Sequence, residues 1–211
     1  MKHLLIIGAR GFGREIYCLA TCSIGYKTEF DIKGFLDDDS TALDRYEGYP
    51  PIIDSVEDYE PKNEDVFICA LGDIYFKKKY SEIILKKGGV FINLIDKDAL
   101  ISKNVKLGIG CIISREVLLS CDVNVGNFVT FQRAITIGHD VTIGNFCHFN
   151  ANCFVGGFCN IGSNVTLWTS SIILPRITLE NNCTIGAAAV VIKKVKEGTT
   201  VYGNPAKVLK Y

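Results

Sequence analysis

From Ile101 to Val191 every sixth residue is apolar, without a slip: Ile101, Leu107, Ile113, Leu119, Val125, Phe131 and so on through Ile185 and Val191. A helix repeats near 3.6 residues and an ordinary strand near 2, so neither produces a strict period of six. A coil with three flat faces does. Each face is a short strand, each corner a turn, and the apolar residue of every hexad points inward onto its equivalent one coil later. The residue after it is often Gly (Gly108, Gly126, Gly138, Gly144, Gly156, Gly162, Gly186), which is expected to relax a turn needing unusual φ. The fourth residue after it is small or β-branched, among them Val117, Cys147, Cys153, Val165 and Ala189, as a tight part of a prism requires. This is the hexapeptide β-helix pattern, and at three hexads per coil the run makes about five coils.

The chain before this run has a different grammar. His3–Ile7 is a buried-strand run that ends in Gly8-Ala9-Arg10-Gly11-Phe12-Gly13, and residues 14–20 have helical spacing. Lys33–Leu36 is a second strand leading into Asp37-Asp38-Asp39. Asp65–Leu71 is a third, stopping at Gly72-Asp73, and a Lys-rich helix follows over Tyr75–Lys87. Val90–Ile95 is a fourth apolar piece. The order predicts an α/β, Rossmann-like unit over residues 1–95, with a mostly parallel sheet, followed by the β-helix and a tail over 96–211.

Composition excludes several classes. The 211 residues are 48% hydrophobic and 22% charged, which is globular composition and not that of a disordered chain. Lys plus Arg equals Asp plus Glu at 23 each, so no global basic field exists to hold nucleic acid. No stretch approaches the ~20 apolar residues of a membrane span. The apolar start, MKHLLIIGARGFG, is broken by Gly and Arg and reads as a strand and turn, not a signal peptide. The nine cysteines contain no CxxC pair and no zinc spacing. Most sit in the repeat where small buried side chains belong, so they are expected to be reduced packing residues of a cytoplasmic protein.

The repeat, together with the ending Val201-Tyr202-Gly203-Asn204-Pro205-Ala206-Lys207 and the N-terminal Gly8–Gly13 turn, resembles the hexapeptide-repeat sugar acyltransferases of the sialic acid O-acetyltransferase type. Within them the pattern is similar to the N-acetyltransferases that act on UDP-4-amino-sugars or GDP-perosamine. The resemblance spans essentially the whole chain. It implies a left-handed parallel β-helix, acetyl-CoA as co-substrate without a metal, a nucleotide-sugar substrate, and a homotrimer with active sites between subunits.

Acetyl transfer to an amine or hydroxyl needs a base, donors for the developing oxyanion and a groove for a long pantetheine arm. The chain has three histidines. His3 lies in the first strand and reads as structural. His139, two residues after inward Ile137, should face outward, and Asp140 beside it can fix its tautomer. The resemblance implies that His139 is the general base and Asp140 its orienter. It places His148 near the thioester and implies a main-chain donor at Gly157, which the repeat puts one coil above His139. Gly186 and Ala187 leave room for a thin pantetheine chain, or serve tight packing. Lys193, Lys194 and Lys207 are candidates for the CoA phosphates. Gln132 stands where relatives carry a sugar-contacting Asn.

The N-terminal Gly run is GxxGxG, not the dinucleotide GxGxxG. It lies between a strand and a helix, where phosphates bind, and Asp37-Asp38 ends the second strand, where an acidic side chain meets a ribose or base. The resemblance makes Gly11, Gly13, Asp37, Asp38, Gly72 and Asp73 the nucleotide site. An NAD site is the competing reading, but no hydride-transfer domain follows it. Two alternatives to amine acetylation stay open: acetylation of a sugar hydroxyl on the same architecture, and a β-helix used only as a scaffold or binding module.

Overall fold

The computed structural model describes residues 1–209. It divides into two compact units, Met1–Lys97 and a second from Asp98 onward.

In the first unit, β1 (Lys2–Ile7), β2 (Phe30–Leu36), β3 (Ile52–Asp54), β4 (Asp65–Cys69) and β5 (Val90–Phe91) form one parallel sheet in the order β3-β2-β1-β4-β5. Helix α1 (Gly11–Cys22) follows β1 and helix α2 (Ile74–Lys86) follows β4. The chain winds one way from β1 through β3 and the other way from β4, so the adjacent ends of β1 and β4 are the switch point at which α/β sheets bind ligands. Leu4, Leu5, Ile6 and Phe67, Ile68 are fully buried in the sheet, as continuous apolar runs in a sheet covered on both faces should be.

Two expectations change here. Strand β3 was not expected: it has three residues, follows Pro50-Pro51 and pairs at the edge through Phe35 N–H to Pro51 O, too short for a periodic signal. The stretch Val90–Ile95 is not one strand but two short ones, Val90–Phe91 and Leu94–Ile95.

The second unit is the left-handed β-helix. Parallel pairs join residues one coil apart: Leu118 pairs with Leu100 and Thr136, Asn124 with Lys106 and Thr142, Thr130 with Ile112 and His148. The inward column is buried from Ile113 onward, and Phe131 stacks on Phe149 with centroids 4.9 Å apart.

The glycines act differently from expectation. The left-handed residue of each corner is not the Gly after the inward residue but the one two positions later, with φ of 62° at Asn104, 58° at Asp140, 60° at Phe158 and 64° at Arg176. This conformation costs a non-glycine residue about 1–2 kcal/mol. Main-chain bonds along the corner hold it in place, such as Asp140 N–H to Cys121 O (3.1 Å) and Phe158 N–H to His139 O (3.0 Å). The recurrent glycines instead serve close approach. A Cβ on Gly138 would lie 2.6 Å from Gly157 N, and one on Gly126 would lie 2.8 Å from the Gly144 carbonyl carbon.

The cysteines of the repeat do more than fill space. Cys147 Sγ donates to Gly162 O (3.0 Å), Cys153 Sγ to Trp168 O (3.2 Å) and Cys159 Sγ to Leu174 O (3.2 Å). Burial pushes the Cys153 and Cys159 thiols up, which keeps the proton they donate. All nine are free thiols.

Candidate active site

His139 and Asp140 share one corner of the β-helix. Inward Ile137 anchors the turn, and the next residues carry their side chains out, each about half in water. His139 Nδ1 and Asp140 Oδ2 are 2.8 Å apart. A carboxylate can only accept, so Nδ1 carries the proton and Nε2 bears the lone pair. Nε2 leans toward the coil above, where a Cβ on Gly157 would lie only 2.8 Å from it. Phe158 meets the imidazole edge-on, with centroids 4.9 Å apart at 89°, and the Arg176 guanidinium carbon lies 4.5 Å over the Phe158 ring. The Gly157 carbonyl accepts from Arg176 N–H, while among the described residues nothing accepts from the Gly157 N–H. A basic nitrogen therefore lies beside the Gly157 backbone, whose N–H has no acceptor among the described residues, an arrangement compatible with proton removal beside a developing oxyanion.

The contact of Phe158 with His139, and Arg176 stacked behind it, are not announced by the sequence. Their link to His139 is visible only when the corner column of the repeat is read upward, through positions 140, 158 and 176. Of the three corner phenylalanines Phe128, Phe146 and Phe158, Phe158 alone is exposed. Phe128 is buried and stacks on the half-buried Phe146 at 4.9 Å, because Gly110 below it leaves room for the ring.

His148 is 4% exposed and lies on another face, paired in register with Thr130 and Thr166. Gln132 Nε2 approaches its Nε2 at 3.4 Å, so Gln132 is brought to His148, and no hydrogen bond joins it to His139. Gly186 is buried against the Tyr202 ring, which would collide with any Cβ there. The missing side chain at 186 is thus used for packing and does not open a groove; Ala187 beside it is exposed. Lys207 lines a cavity of about 340 Å³ with Lys193, Lys194 and Lys196, which gathers four cations at one end of the coil.

The first unit holds a cavity of about 600 Å³ at the carboxyl ends of β1, β2 and β4. Gly13, Asp37, Asp38, Gly72 and Asp73 all line it, joined by Arg10, Phe12 and Tyr80. Gly11 does not: it opens α1 on the exposed side, with nothing within 4 Å of where a Cβ would stand. Asp37 accepts from Ala9 N–H (2.8 Å) and Asp39 N–H (3.0 Å), which ties the end of β2 to the glycine turn. Asp38 accepts from the Tyr80 hydroxyl, a bond that, with burial, pushes the phenol well above its ordinary pKa. Asp73 caps α2 by accepting from Phe76 N–H (3.1 Å). The N-cap of α1 is Arg10, whose side chain makes no capping bond to the positive end of that helix.

Residues 3–84 match the PglD N-terminal domain family, a stretch that contains every residue lining this cavity. Over 99% of its length the chain is similar to the acetyltransferase domain of PglB from Neisseria gonorrhoeae, solved in complex with acetyl coenzyme A (26% identity, TM-score 0.87, 99% of that chain). The resemblance to hexapeptide-repeat sugar acyltransferases is borne out. The fold is also that of PerB from Caulobacter crescentus, solved with CoA and GDP-perosamine (20% identity, TM-score 0.89, 100% of this chain and 98% of that one). WeeI from Acinetobacter baumannii shares it as well (24% identity, TM-score 0.86, 99% and 100%). Curated protein sequences give no match. Among the described residues no group of three or more His, Cys, Asp or Glu side chains is placed to hold a metal ion. No helix among them is long and apolar enough to cross a membrane.

Proposed function

We propose that the chain is an acetyl-CoA-dependent N-acetyltransferase that acts on the amino group of a nucleotide-linked amino sugar, in the synthesis of bacterial surface glycans. The observation that carries this reading is the His139–Asp140 pair with Nε2 turned toward the Gly157 backbone. The acetyltransferases to which the chain is similar support acyl transfer, and the cavity at the ends of β1, β2 and β4 supports a nucleotide-bearing acceptor.

The chemistry follows from the geometry. Asp140 holds Nδ1–H and leaves Nε2 free to accept a proton from the attacking amine as its nitrogen bonds the acetyl carbon. The Gly157 N–H donates to the oxygen that gains charge. His139 then returns its proton as the carbon–sulfur bond breaks and the thiol of CoA departs. Asp37, Asp38 and the turn before α1 hold the nucleotide, and Lys193, Lys194 and Lys207 supply cations for the phosphates of the acetyl donor.

A homotrimer is part of the proposal. The outward row of one face is Leu100, Leu118, Thr136, Phe154, Ile172 and Val190, with Leu100, Phe154 and Ile172 exposed; the next face presents Lys106, Asn124, Thr142, Asn160 and Thr178. An apolar row beside a polar one suits contact with a neighbouring copy. A reducing, cytoplasmic setting fits nine free thiols.

The test is release of CoA thiol from acetyl-CoA in the presence of UDP-, GDP-, dTDP- and CMP-linked amino sugars. The expected result is turnover with one nucleotide class and a loss of roughly 10²–10⁴ in kcat for His139→Ala. No thiol release with any acceptor would leave a scaffold, and a product cleaved by mild alkali would mean an ester and a hydroxyl acceptor.

A further inference from the structure

On one corner of the β-helix the outward N–H groups are not open. Ile109 N–H donates to Asn127 Oδ1 (3.0 Å), Asn127 N–H to Asn145 Oδ1 (2.8 Å), Asn145 N–H to Ser163 Oγ (3.0 Å) and Ser163 N–H to Asn181 Oδ1 (2.8 Å). All five residues occupy the position two after the inward one. In this fold an Asn or Ser at that position caps the N–H of its equivalent one coil earlier, 18 residues before it. At the His139 corner the same column reads His139, Gly157, Pro175. Pro175 is the residue whose side chain would cap the Gly157 N–H, and its ring offers no acceptor. It also packs against Gly156, where a Cβ would stand 2.8 Å from Pro175 Cγ, so it sits close over this turn.

We infer that Pro175 is a positioning residue that keeps the Gly157 N–H free for the acyl oxygen, by standing where a capping side chain would quench it. The inference rests on the acetyl-transfer reading for its consequence and on backbone geometry for its cause. An Asn or Ser at position 175 meets the same coil spacing as Asn145 or Ser163 and takes the N–H before substrate arrives.

The experiment compares Pro175→Asn and Pro175→Ser with Pro175→Ala, which relieves the proline constraint without adding an acceptor. Loss of one oxyanion donor lowers kcat by roughly 10²–10³. The expected result is a kcat drop of about 10²-fold for the Asn and Ser variants, with KM for the amino sugar unchanged and Pro175→Ala close to the parent. Hydrogen exchange at the Gly157 amide should be fast in the parent and in Pro175→Ala, and protected in Pro175→Asn. Equal kcat in all four proteins, or an equal fall in Pro175→Ala, overturns the inference. So does an unprotected Gly157 amide in Pro175→Asn. If the parent itself releases no thiol while the exchange difference is present, the transferase reading falls and the capping relationship stands.

Discussion

The imidazole of His139 occupies the space where a side chain on Gly157 would begin, with Nε2 2.8 Å from that point. Any residue but glycine there pushes on the ring. His139 is half in water and its ring is the mobile end of the side chain, so the fold can yield cheaply while the base moves off line. Gly157→Ala should therefore lower kcat by about 10²-fold, the penalty for a misplacement near 1 Å. Its thermal unfolding should stay close to that of the parent. Steady-state kinetics beside calorimetry check this; parallel losses in both would mean a folding defect instead.

In the proposed mechanism Asp140 fixes the tautomer and does not take the proton. Asp140→Asn keeps size but can donate to Nδ1, which moves the imidazole proton to Nε2 and abolishes the acceptor. In a buried triad the same exchange costs about 10⁴. Asp140 is half exposed, so water competes for Nδ1 and the expected loss is smaller, about 10²-fold. The check is kcat for Asp140→Asn against Asp140→Ala: a tautomer effect makes the Asn variant at least as slow.

Outside the site, Asp65 is a buried ionic hub of the first unit. It accepts from Lys33 Nζ (2.7 Å), the Tyr59 hydroxyl (2.6 Å) and Lys62 N–H (2.8 Å). Burial by itself would raise its carboxyl, and these three donors together hold it below the ordinary 3.8. Burial likewise opposes the charge on Lys33, yet its bonds to Asp65 and Tyr59 raise it above 10.5. A depressed acid contributes stability above its unfolded pKa and loses it as pH falls through the folded value. A raised base contributes below its unfolded pKa and loses it as pH rises through the folded one. Denaturant unfolding should thus weaken below about pH 4 and above about pH 10.5, with a plateau between. Asp65→Asn should remove about 3 kcal/mol at pH 7, the lower end for a broken buried pair, since Lys33 keeps part of its side chain in water. The acid limb of the variant should be flatter.

The exposed apolar row predicts what holds copies together. Ile172→Glu places a charge near one end of it, between Phe154 and Val190 in register. Light scattering should show a trimer for the parent and monomers for the variant, with acetyl transfer lost alongside if sites lie between subunits. An unchanged mass would move the interface to another face.

The β-helix was legible because one inward position of every hexad is apolar from Ile101 to Val191, with a second, small or β-branched position buried beside it. The outward placement of His139 followed from the same register. What sets the corners was not legible. Their left-handed position accepts Asn, Asp, Phe, Ala and Arg alike, since the main-chain ladder of the neighbouring coils imposes the conformation and no residue type signals it. The glycines two places earlier looked like turn residues, yet it is the backbone one coil above that requires them. At the cavity of the first unit the aspartates announced themselves, whereas Tyr80 did not, because its bond to Asp38 joins elements far apart in the chain.

Gly11 and Gly13 show how two glycines of one motif divide. Gly13 lies in the first turn of α1 with its Cα against Gly8: an added Cβ would stand 2.7 Å from the Gly8 carbonyl carbon and closer still to its oxygen. Neither atom can retreat, because Gly8 N–H is bonded to Leu36 O and the turn is held by Ala9 N–H to Asp37. Gly13→Ala must then prise α1 from β1, at a cost of about 2–3 kcal/mol, and should disturb the cavity that Gly13 lines with it. Gly11 meets open space, and alanine there improves helix propensity in a first turn, so Gly11→Ala should leave stability unchanged or slightly higher. Thermal unfolding of the two variants, with and without nucleotide sugar, separates the roles. The expected pattern is a low, ligand-insensitive transition for Gly13→Ala and a parent-like ligand shift for Gly11→Ala. A lost shift in Gly11→Ala would return that residue to the binding site.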